Sequence, residues 1–297
     1  MSADDLDPVS VLKVLGVEHP ASVTPVSGGW TTAIFRVEHE GKLYALRAYR
    51  VGQEETCCRE VGVMQAAAAA GIPVPSVQAE GVWRGRPALL LSWCPGHPVA
   101  HELRTRPWRA WYMGVLFGRM QAAINRVVVP DALGEPDDAW IGWLGPDEEA
   151  LRECLYGQGL RSGALLHLDY HLMNVMTDGR RITGVLDWAN AHAGDPRADY
   201  ARTLSILRLD SEPPDEVGVP RWAVRLLVCL FELGWRRGYG RVEGDLAPYN
   251  ALAGVYLERS LAWRLGLPGG LTRGRLARIR KWTVMWKERA GCRQVQA

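Results

Sequence analysis

No uninterrupted apolar run in this chain approaches the roughly 20 residues that a bilayer-spanning helix needs, so no membrane segment is expected. The N-terminal MSADDLDPVS is acidic and polar, unlike the basic-then-apolar start of a secretory leader. The cysteines at 57, 58, 94, 154, 229 and 292 form no Cys-x-x-Cys pair and no zinc-ligand spacing, which predicts reduced thiols. A formal net charge of +2 gives no bulk attraction for nucleic acid. There is no internal repeat, and the one biased stretch, five alanines at 66–70, suits a helix. What is present is 297 residues, 47% of them hydrophobic, enough to bury a large core and to build two lobes. A cytoplasmic enzyme with neither a nucleic-acid nor a membrane partner is the expectation.

Against that background, LLHLDYHLMNVM at 165–176 sets two histidines, an aspartate and an asparagine among apolar residues. Each alone reads as a satisfied structural residue. Their spacing reads otherwise. His167, Asp169 and Asn174 spell His-x-Asp-x-x-x-x-Asn, a pattern that ordinary residue frequencies would produce in a chain this long roughly one time in a hundred. It matches the catalytic loop of protein kinases, in which the aspartate accepts the proton of the attacking hydroxyl and the asparagine holds Mg²⁺.

Phosphoryl transfer also needs a second metal-binding acid downstream, and NVMTDGRRITGVLDW supplies Asp187. That stretch reads as two short strands around an Asp178-Gly179 turn, which would return Asp187 to the neighbourhood of Asn174. A carboxylate and an amide oxygen together make a hard oxygen site of the kind Mg²⁺ takes, with nucleotide phosphates completing the shell. Taken alone, Asp187 reads as a turn or cap residue.

Upstream, DPVSVLKVLG at 7–16 has an Asp cap, Pro in its first turn and Gly at its end, which marks a short helix. The stretch VTPVSGGWTTAIFRVEHEGKLYALRAYR reads as strands broken at Ser27-Gly28-Gly29 and at Glu40-Gly41. Two glycines would let backbone N–H groups approach a phosphate, although Gly-Gly also marks ordinary turns. Arg47 lies mid-strand among apolar residues, where a charge needs a partner; on its own it reads as an edge-strand cation. A helix over EETCCREVGVMQAAAAAG offers Glu60, otherwise a solvated helix residue, as that partner.

After the extended GIPVPSV comes a buried strand at Leu89–Leu91, ended by Pro95-Gly96, and a lobe boundary is expected there: 1–94 as a nucleotide-binding lobe and 95–297 as a helical lobe. Beyond it, WRAWYMGVLFGRMQAAI, DEEALRECL, RADYARTLSILRL, PRWAVRLLVCLFELGW and YNALAGVYLERSLAWRL carry apolar residues at helical spacing. The basic, Trp-bearing RGRLARIRKWTVMWKER reads as a helix with a solvated Arg/Lys face and with Trp282 and Trp286 turned inward, in preference to an RNA or lipid surface.

The region from His167 to Arg202 resembles the signature of the aminoglycoside phosphotransferase family, a protein-kinase-like group that includes choline and homoserine kinases. The family pattern is His-Gly-Asp-Leu-His-Pro-x-Asn, then an aspartate ending a strand, then Gly-Asp-Pro with a further Asp. Here these positions are His167, Asp169, His171, Asn174, Asp187, Gly194-Asp195-Pro196 and Asp199. The resemblance implies a bilobal α+β fold, β-rich then mainly helical. It implies Mg²⁺ with ATP or GTP as cofactor, and a small-molecule hydroxyl as acceptor, in a monomer or homodimer. By it, Asp169 is the catalytic base and Asn174 and Asp187 hold the metal. His167, Asp195 and Asp199 brace the loop. Ser27, Gly28 and Gly29 cover the phosphates, Arg47 paired with Glu60 holds the α/β-phosphates, and the backbone from Ser92 to Cys94 meets the purine. Two departures stand out: Arg47 where lysine is usual, which alters reach and hydration, and Leu172-Met173 in place of Pro-Gly.

Two other classes fit parts of the sequence. A nucleotide-binding pseudokinase or regulatory module would need the fold without the chemistry, against which stand the intact Asp169, Asn174 and Asp187. A metal-dependent hydrolase could use His167, Asp169 and His171 with Asp187 as zinc ligands, but leaves Asn174 and the upstream parts unexplained. The acceptor is not encoded legibly. Residues 188–265 hold ten Asp and Glu, among them Asp210, Asp215, Glu216, Glu232, Glu243, Asp245 and Glu258, with Arg about as frequent, so no acidic excess marks a site for a cationic aminosugar.

Overall fold

The computed structural model describes residues 6–26, 33–129, 138–209, 220–267 and 270–292. Helix α1 (Pro8–Val14) starts where the sequence places it, with the Asp7 side chain accepting the Val9 N–H at 3.1 Å. Strands β1 (Ser22–Pro25), β2 (Ala33–His39) and β3 (Lys42–Ala48) follow, then helix α2 (Glu54–Ala69) and strands β4 (Val77–Trp83) and β5 (Arg86–Ser92). They form one antiparallel sheet in the order β1-β2-β3-β5-β4. Two tight hairpins set its register: Glu40-Gly41 and Arg84-Gly85 have φ of 50° and 71°, and of 49° and 73°, the paired positive values of a type I′ turn.

Strand β4 is absent from the sequence-based reading, which passes from the extended GIPVPSV to the Leu89–Leu91 strand and assigns nothing to QAEGVW. Its alternating half-buried and exposed residues carry the period of a one-sided strand, and that pattern was the missed signal. The sheet order makes β3 a central strand, which removes the edge-strand reading of Arg47. Alternation along β3 and β5 does the rest. Leu46 and Leu90 face a small core with Val11 and Leu12 of α1, while Leu89 and Leu91 face the main core with Val63 and Met64 of α2. Arg47, one residue on from Leu46, therefore turns toward α2.

Beyond the sheet lie a two-residue strand β6 (His97–Pro98) and helices α3 (Val99–Thr105), α4 (Ala110–Ile124) and α5 (Glu149–Tyr156). Short strands β7 (Ala164–Leu166), β8 (Val175–Thr177), β9 (Ile182–Val185) and β10 (His192–Gly194) come next, then α6 (Pro196–Leu209), α7 (Arg221–Tyr239), α8 (Ala247–Leu261) and α9 (Arg273–Arg289). The β8–β9 hairpin is antiparallel and places the Leu186 N–H on the Asn174 carbonyl at 2.8 Å, the return the sequence predicts. On α9, Trp282 is buried and Trp286 half-buried, with Arg280 paired to Glu258 of α8. Among the described residues no helix is long and apolar enough to cross a membrane.

The expectation that all cysteines are reduced is corrected at one pair. Cys154 on α5 and Cys292 just beyond α9 are joined by a disulfide, while Cys57, Cys58, Cys94 and Cys229 are free. The partners stand 138 residues apart, so no spacing motif could announce them. They meet because α5 and α9 both pack on α8, around Leu151, Leu155 and Leu252.

Helices α4 and α7 approach backbone to backbone through Gly114 and Gly118 on one side and Gly234 and Gly238 on the other. A Cβ added at Gly118 would sit 2.6 Å from the Tyr239 nitrogen and against the Trp235 carbonyl. Since neither backbone atom can swing away, Gly118→Ala should destabilise the protein by about 1–3 kcal/mol or more, through overpacking. A thermal unfolding midpoint equal to wild type would show that these helices part without cost.

Candidate active site

The loop between β7 and β8 carries the signature residues, and buried groups fix its backbone. His167 is fully buried; its Nε2 donates to the Leu186 carbonyl at 3.1 Å and its Nδ1 accepts the Asp169 N–H at 3.3 Å. Burial holds its pKa below the ordinary value, as suits a neutral brace, although Asp199 and Asp169 pull the other way. Leu168 stands where the family pattern has glycine, and it adopts φ of 57°. A left-handed conformation costs an ordinary L-residue roughly 1–2 kcal/mol. It is held from both sides: Asp199 Oδ1 accepts the Leu168 N–H at 2.7 Å, and Arg202 Nε donates to its carbonyl at 3.2 Å. Asp199 and Arg202 are three residues apart on α6 and so share one helix face.

Asp169 follows directly, with about a quarter of its side chain reaching solvent. Asn174 Nδ2 donates to the Asp169 carbonyl at 3.1 Å and to its Oδ2 at 3.4 Å, and His171 Nε2 lies 3.7 Å from the same oxygen. Burial pushes the Asp169 carboxyl up, but His171, Arg202 and His167 outweigh it and leave it at about 2. The loop closes without the usual Pro-Gly. Asn174 N–H reaches the His171 carbonyl at 3.0 Å, Met173 N–H the His171 Nδ1 at 3.2 Å, and the Leu172 carbonyl accepts the Ala100 N–H at 3.1 Å. Asp195, buried, accepts from Arg197, from the Arg161 N–H and from the Tyr249 hydroxyl at 2.9 Å.

Arg47 and Glu60 meet at 2.6 Å, both side chains almost completely buried. The other arm of the guanidinium donates to Asp187 Oδ1 at 2.9 Å, so Arg47 forks between two carboxylates. Glu60 also accepts from the Tyr49 hydroxyl at 2.7 Å and from the Trp188 N–H at 3.1 Å, tying α2 to the residue after Asp187. Burial disfavours the charge on Arg47, but Glu60 and Asp187 more than offset it and keep it protonated. Asp187 itself has φ of 62°, a conformation that Asp tolerates better than most residues.

The donors present fit Mg²⁺. Arg47 balances only one of the charges on Glu60 and Asp187, and Asp169 adds a third carboxylate beyond Asn174. Asn174 directs its amide nitrogen at Asp169, which frees its oxygen to coordinate, and the backbone bond from Leu186 to Asn174 brings Asp187 alongside. An amide oxygen and a carboxylate are hard ligands. The zinc-hydrolase reading loses its ligand set, since both nitrogens of His167 are engaged, one with the Leu186 carbonyl beyond β9 and one with the Asp169 N–H. Among the described residues no three His, Cys, Asp or Glu converge as a metal cluster.

Of the other expected positions, Ser27, Gly28 and Gly29 lie outside the described residues. At the end of β5 the Ser92 N–H donates to the Ser76 carbonyl at 2.8 Å and, just beyond it, the Trp93 N–H to the Leu43 carbonyl at 3.2 Å, which narrows any purine contact by a backbone N–H to Cys94. Tyr49, Trp188 and Arg202 were missed by sequence reasoning. Only Tyr49 left a signal: it stands two residues after Arg47, on the same side of the chain.

An Arg47 that also holds the nucleotide phosphates, as the resemblance implies, makes a graded prediction. On that reading Arg47→Ala should weaken nucleotide use roughly ten- to a hundredfold, the worth of one charge-assisted contact. It should also destabilise the fold by about 3–5 kcal/mol, because Glu60 is left buried and unpaired. Arg47→Lys should restore part of both effects, and Glu60→Gln should fall between. The nucleotide KM and the unfolding midpoint of the three variants provide the check; near-wild-type kinetics for Arg47→Ala would place the phosphates elsewhere.

Comparison with known proteins bears on the whole of this assembly. Solved structures align along nearly the full chain. An aminoglycoside phosphotransferase, APH(4)-Ia, shares 16% identity over 95% of this chain and 98% of its own, with a TM-score of 0.65. A spectinomycin phosphotransferase in complex with ADP and spectinomycin shares 13% over 96% and 94%, with a TM-score of 0.54. The ethanolamine kinase of Plasmodium vivax shares 11% over 91% and 83%, with a TM-score of 0.57. At such identities these likenesses give the fold, a kinase-like one with a β-rich N-terminal part and a helical remainder. No curated protein matches the sequence. The model of the phosphotransferase enzyme family (APH) matches residues 22–240. A match that runs from the first strand through the catalytic-loop segment to the end of α7 covers most of the chain, and the chain belongs to the phosphotransferase enzyme family.

Proposed function

We propose that this protein transfers the γ-phosphoryl group of ATP or GTP to a hydroxyl of a small molecule, with Asp169 as base. The observation that carries the reading is one constellation: Asp169 and Asn174 in hydrogen-bond contact, and Asp187 beside them on an Arg47 already anchored to Glu60. Related folds are crystallised with nucleotides, one as a ternary complex with AMP-PNP and hygromycin B. They support a nucleotide and a small hydroxyl compound as the two substrates.

The acceptor oxygen bonds to the γ-phosphorus as the bond from that phosphorus to the β-γ bridging oxygen breaks. The hydroxyl proton passes to the Asp169 carboxylate, and the nucleoside diphosphate leaves with the electron pair. Asp169 Oδ2 faces Asn174 and His171, so Oδ1 is the oxygen that receives the proton. Held ionised to about pH 2, Asp169 is a weak base. Its task is to orient the hydroxyl and take the proton late, as a loose transition state requires. Asn174 and Asp187 would hold Mg²⁺, which supplies neutralisation of the β/γ-phosphate charge. Arg47 orients the α/β-phosphates by its fork, and Glu60 keeps that fork in place. Asp199 and Arg202 keep Leu168 left-handed and so aim Asp169.

A panel of aminoglycosides, amino alcohols and sugars, read by acceptor-stimulated nucleotide consumption in Mg²⁺ with ATP or GTP, tests the reading. Stimulation by at least one hydroxyl compound, with a phosphorylated product, is the expected result. Nucleotide binding with no stimulated turnover across the panel would leave a nucleotide-binding regulatory module instead.

A further inference from the structure

Helix α7 opens with WAVRLLVCL at 222–230, apolar but for Arg225, yet among the described residues none of this stretch is buried. A helix of that composition ordinarily lies inside a core. Trp222, Leu226, Leu230 and Leu233 recur about one turn apart and form a single stripe toward solvent, with Trp222 69% and Leu226 52% exposed. Helix α4 widens the stripe into a face. The two helices run side by side in the same direction, Gly114 against Phe231 and Trp235, and Gly118 against Trp235 and Tyr239. The Trp111 carbonyl lies over Gly234, so Trp108, Trp111 and Tyr112, all exposed, open beside Leu230 and Leu233. Backbone contact between the helices fixes this face before anything docks on it.

Those seven side chains expose on the order of 800 Å², above the roughly 300–600 Å² of the largest patch on a typical monomer and close to what each partner of a stable complex covers. The composition is that of an interface core, rich in Trp, Tyr and Arg. Neither helix offers it an acid: α4 has none, and Glu232 of α7 is turned inward to Arg208 and Arg236. The segment before α7, DSEPPDEVGV at 210–219, brings only two valines and is too polar to cover the face. Read in the opposite direction, the stripe complements itself. About a two-fold axis between Cys229 and Leu230, Leu226 meets the partner's Leu233, Cys229 the partner's Leu230, and Trp222 the partner's exposed Arg237 in a cation–π contact. We infer that the α4–α7 face joins two copies of this chain, packed antiparallel along α7 in a two-fold dimer. The inner sides of the same helices brace the catalytic loop, since Trp235 Nε1 donates to Gln121 Oε1 at 2.8 Å and Gln121 Nε2 to Asp199 Oδ2 at 3.1 Å, so the second copy clamps the helix pair on which that loop rests.

Sedimentation velocity over a concentration series provides the test. Wild type should be a dimer at micromolar concentration, and Leu226→Glu should weaken association by about a hundredfold or more, because each copy then presses an unpaired carboxylate on the partner's Leu233. Leu226 is half exposed in the single chain, so the variant should keep the wild-type far-UV circular dichroism. Adding Leu233→Arg to Leu226→Glu should restore the dimer, since the antiparallel register sets each carboxylate against the partner's guanidinium. In the wild-type protein a bismaleimide of short reach should link Cys229 to the partner's Cys229, and Cys229→Ser should stop it; this readout needs no substitution in the apolar stripe and stands even where Leu226→Glu disturbs folding. A wild type that is monomeric throughout overturns the inference, as does a dimer that survives Leu226→Glu or that forms no Cys229 link. A monomer that floats with vesicles of anionic phospholipid overturns it as well, and makes the face a lipid-binding surface instead.

Discussion

Asp169→Asn should lower turnover by about 10²–10⁴-fold, the range of a lost general base, while Mg-nucleotide affinity stays as it was. On the proposed reading the two effects separate, because Asp169 would meet the acceptor while Arg47, Asn174 and Asp187 would hold the phosphates and metal. Asparagine keeps the shape and the contact with Asn174, so the loop geometry is retained, and an unfolding midpoint measured alongside separates the lost ionic stabilisation from the lost base. Phosphate transfer at a rate near wild type would remove Asp169 as the base. The pH dependence adds a second check. A carboxyl depressed to about 2 contributes stability above its ordinary value of 3.8, and that contribution is lost as pH falls toward 2. It also means that Asp169 adds no acid limb to kcat/KM in the neutral range. In His171→Ala the chief opponent of burial is gone, so the carboxyl rises and an acid limb should appear at higher pH than in wild type. Superimposable profiles would show that His171 does not tune the base.

Asp187→Asn should abolish the Mg²⁺ dependence of nucleotide binding and weaken it at saturating Mg²⁺ by about a hundredfold or more, since a bridging metal is worth several kcal/mol. Asn is the suitable replacement because it tolerates the φ of 62° at this position, which alanine would adopt less readily. A second consequence follows from the Arg47 fork. Without the carboxylate, the guanidinium keeps only Glu60 as an anionic partner and stays in place, so ATP without metal should bind about as well as to wild type. Calorimetric titrations with and without Mg²⁺ decide the matter; unchanged affinity in Mg²⁺ would take Asp187 out of the site.

Where chemistry is carried by near neighbours, this sequence was legible. The Asp7 cap, the Glu40-Gly41 turn and the Asp178-Gly179 turn act over two to four residues, and each stands where the sequence puts it. The Arg47–Glu60 pair was legible for a different reason: a charge amid apolar strand residues must find an anion, and the next helix held one. The missed strand β4 shows the limit of such signals, because a short alternating run bounded by prolines becomes a strand only when β5 pairs with it.

By itself, then, the sequence determined the kinds of groups at the site and their order along the chain, since the His-x-Asp-x-x-x-x-Asn spacing and the downstream aspartate are local facts. Only the tertiary structure decided how they are held. Arg47 reaches Asp187 across 140 positions, and Asp199 and Arg202 impose a left-handed Leu168 from another helix. Cys154 joins Cys292, and Trp143 meets Tyr256. Contacts of that kind depend on which faces of distant elements are packed together, and burial in a shared core sets those faces without leaving any regular spacing in the chain.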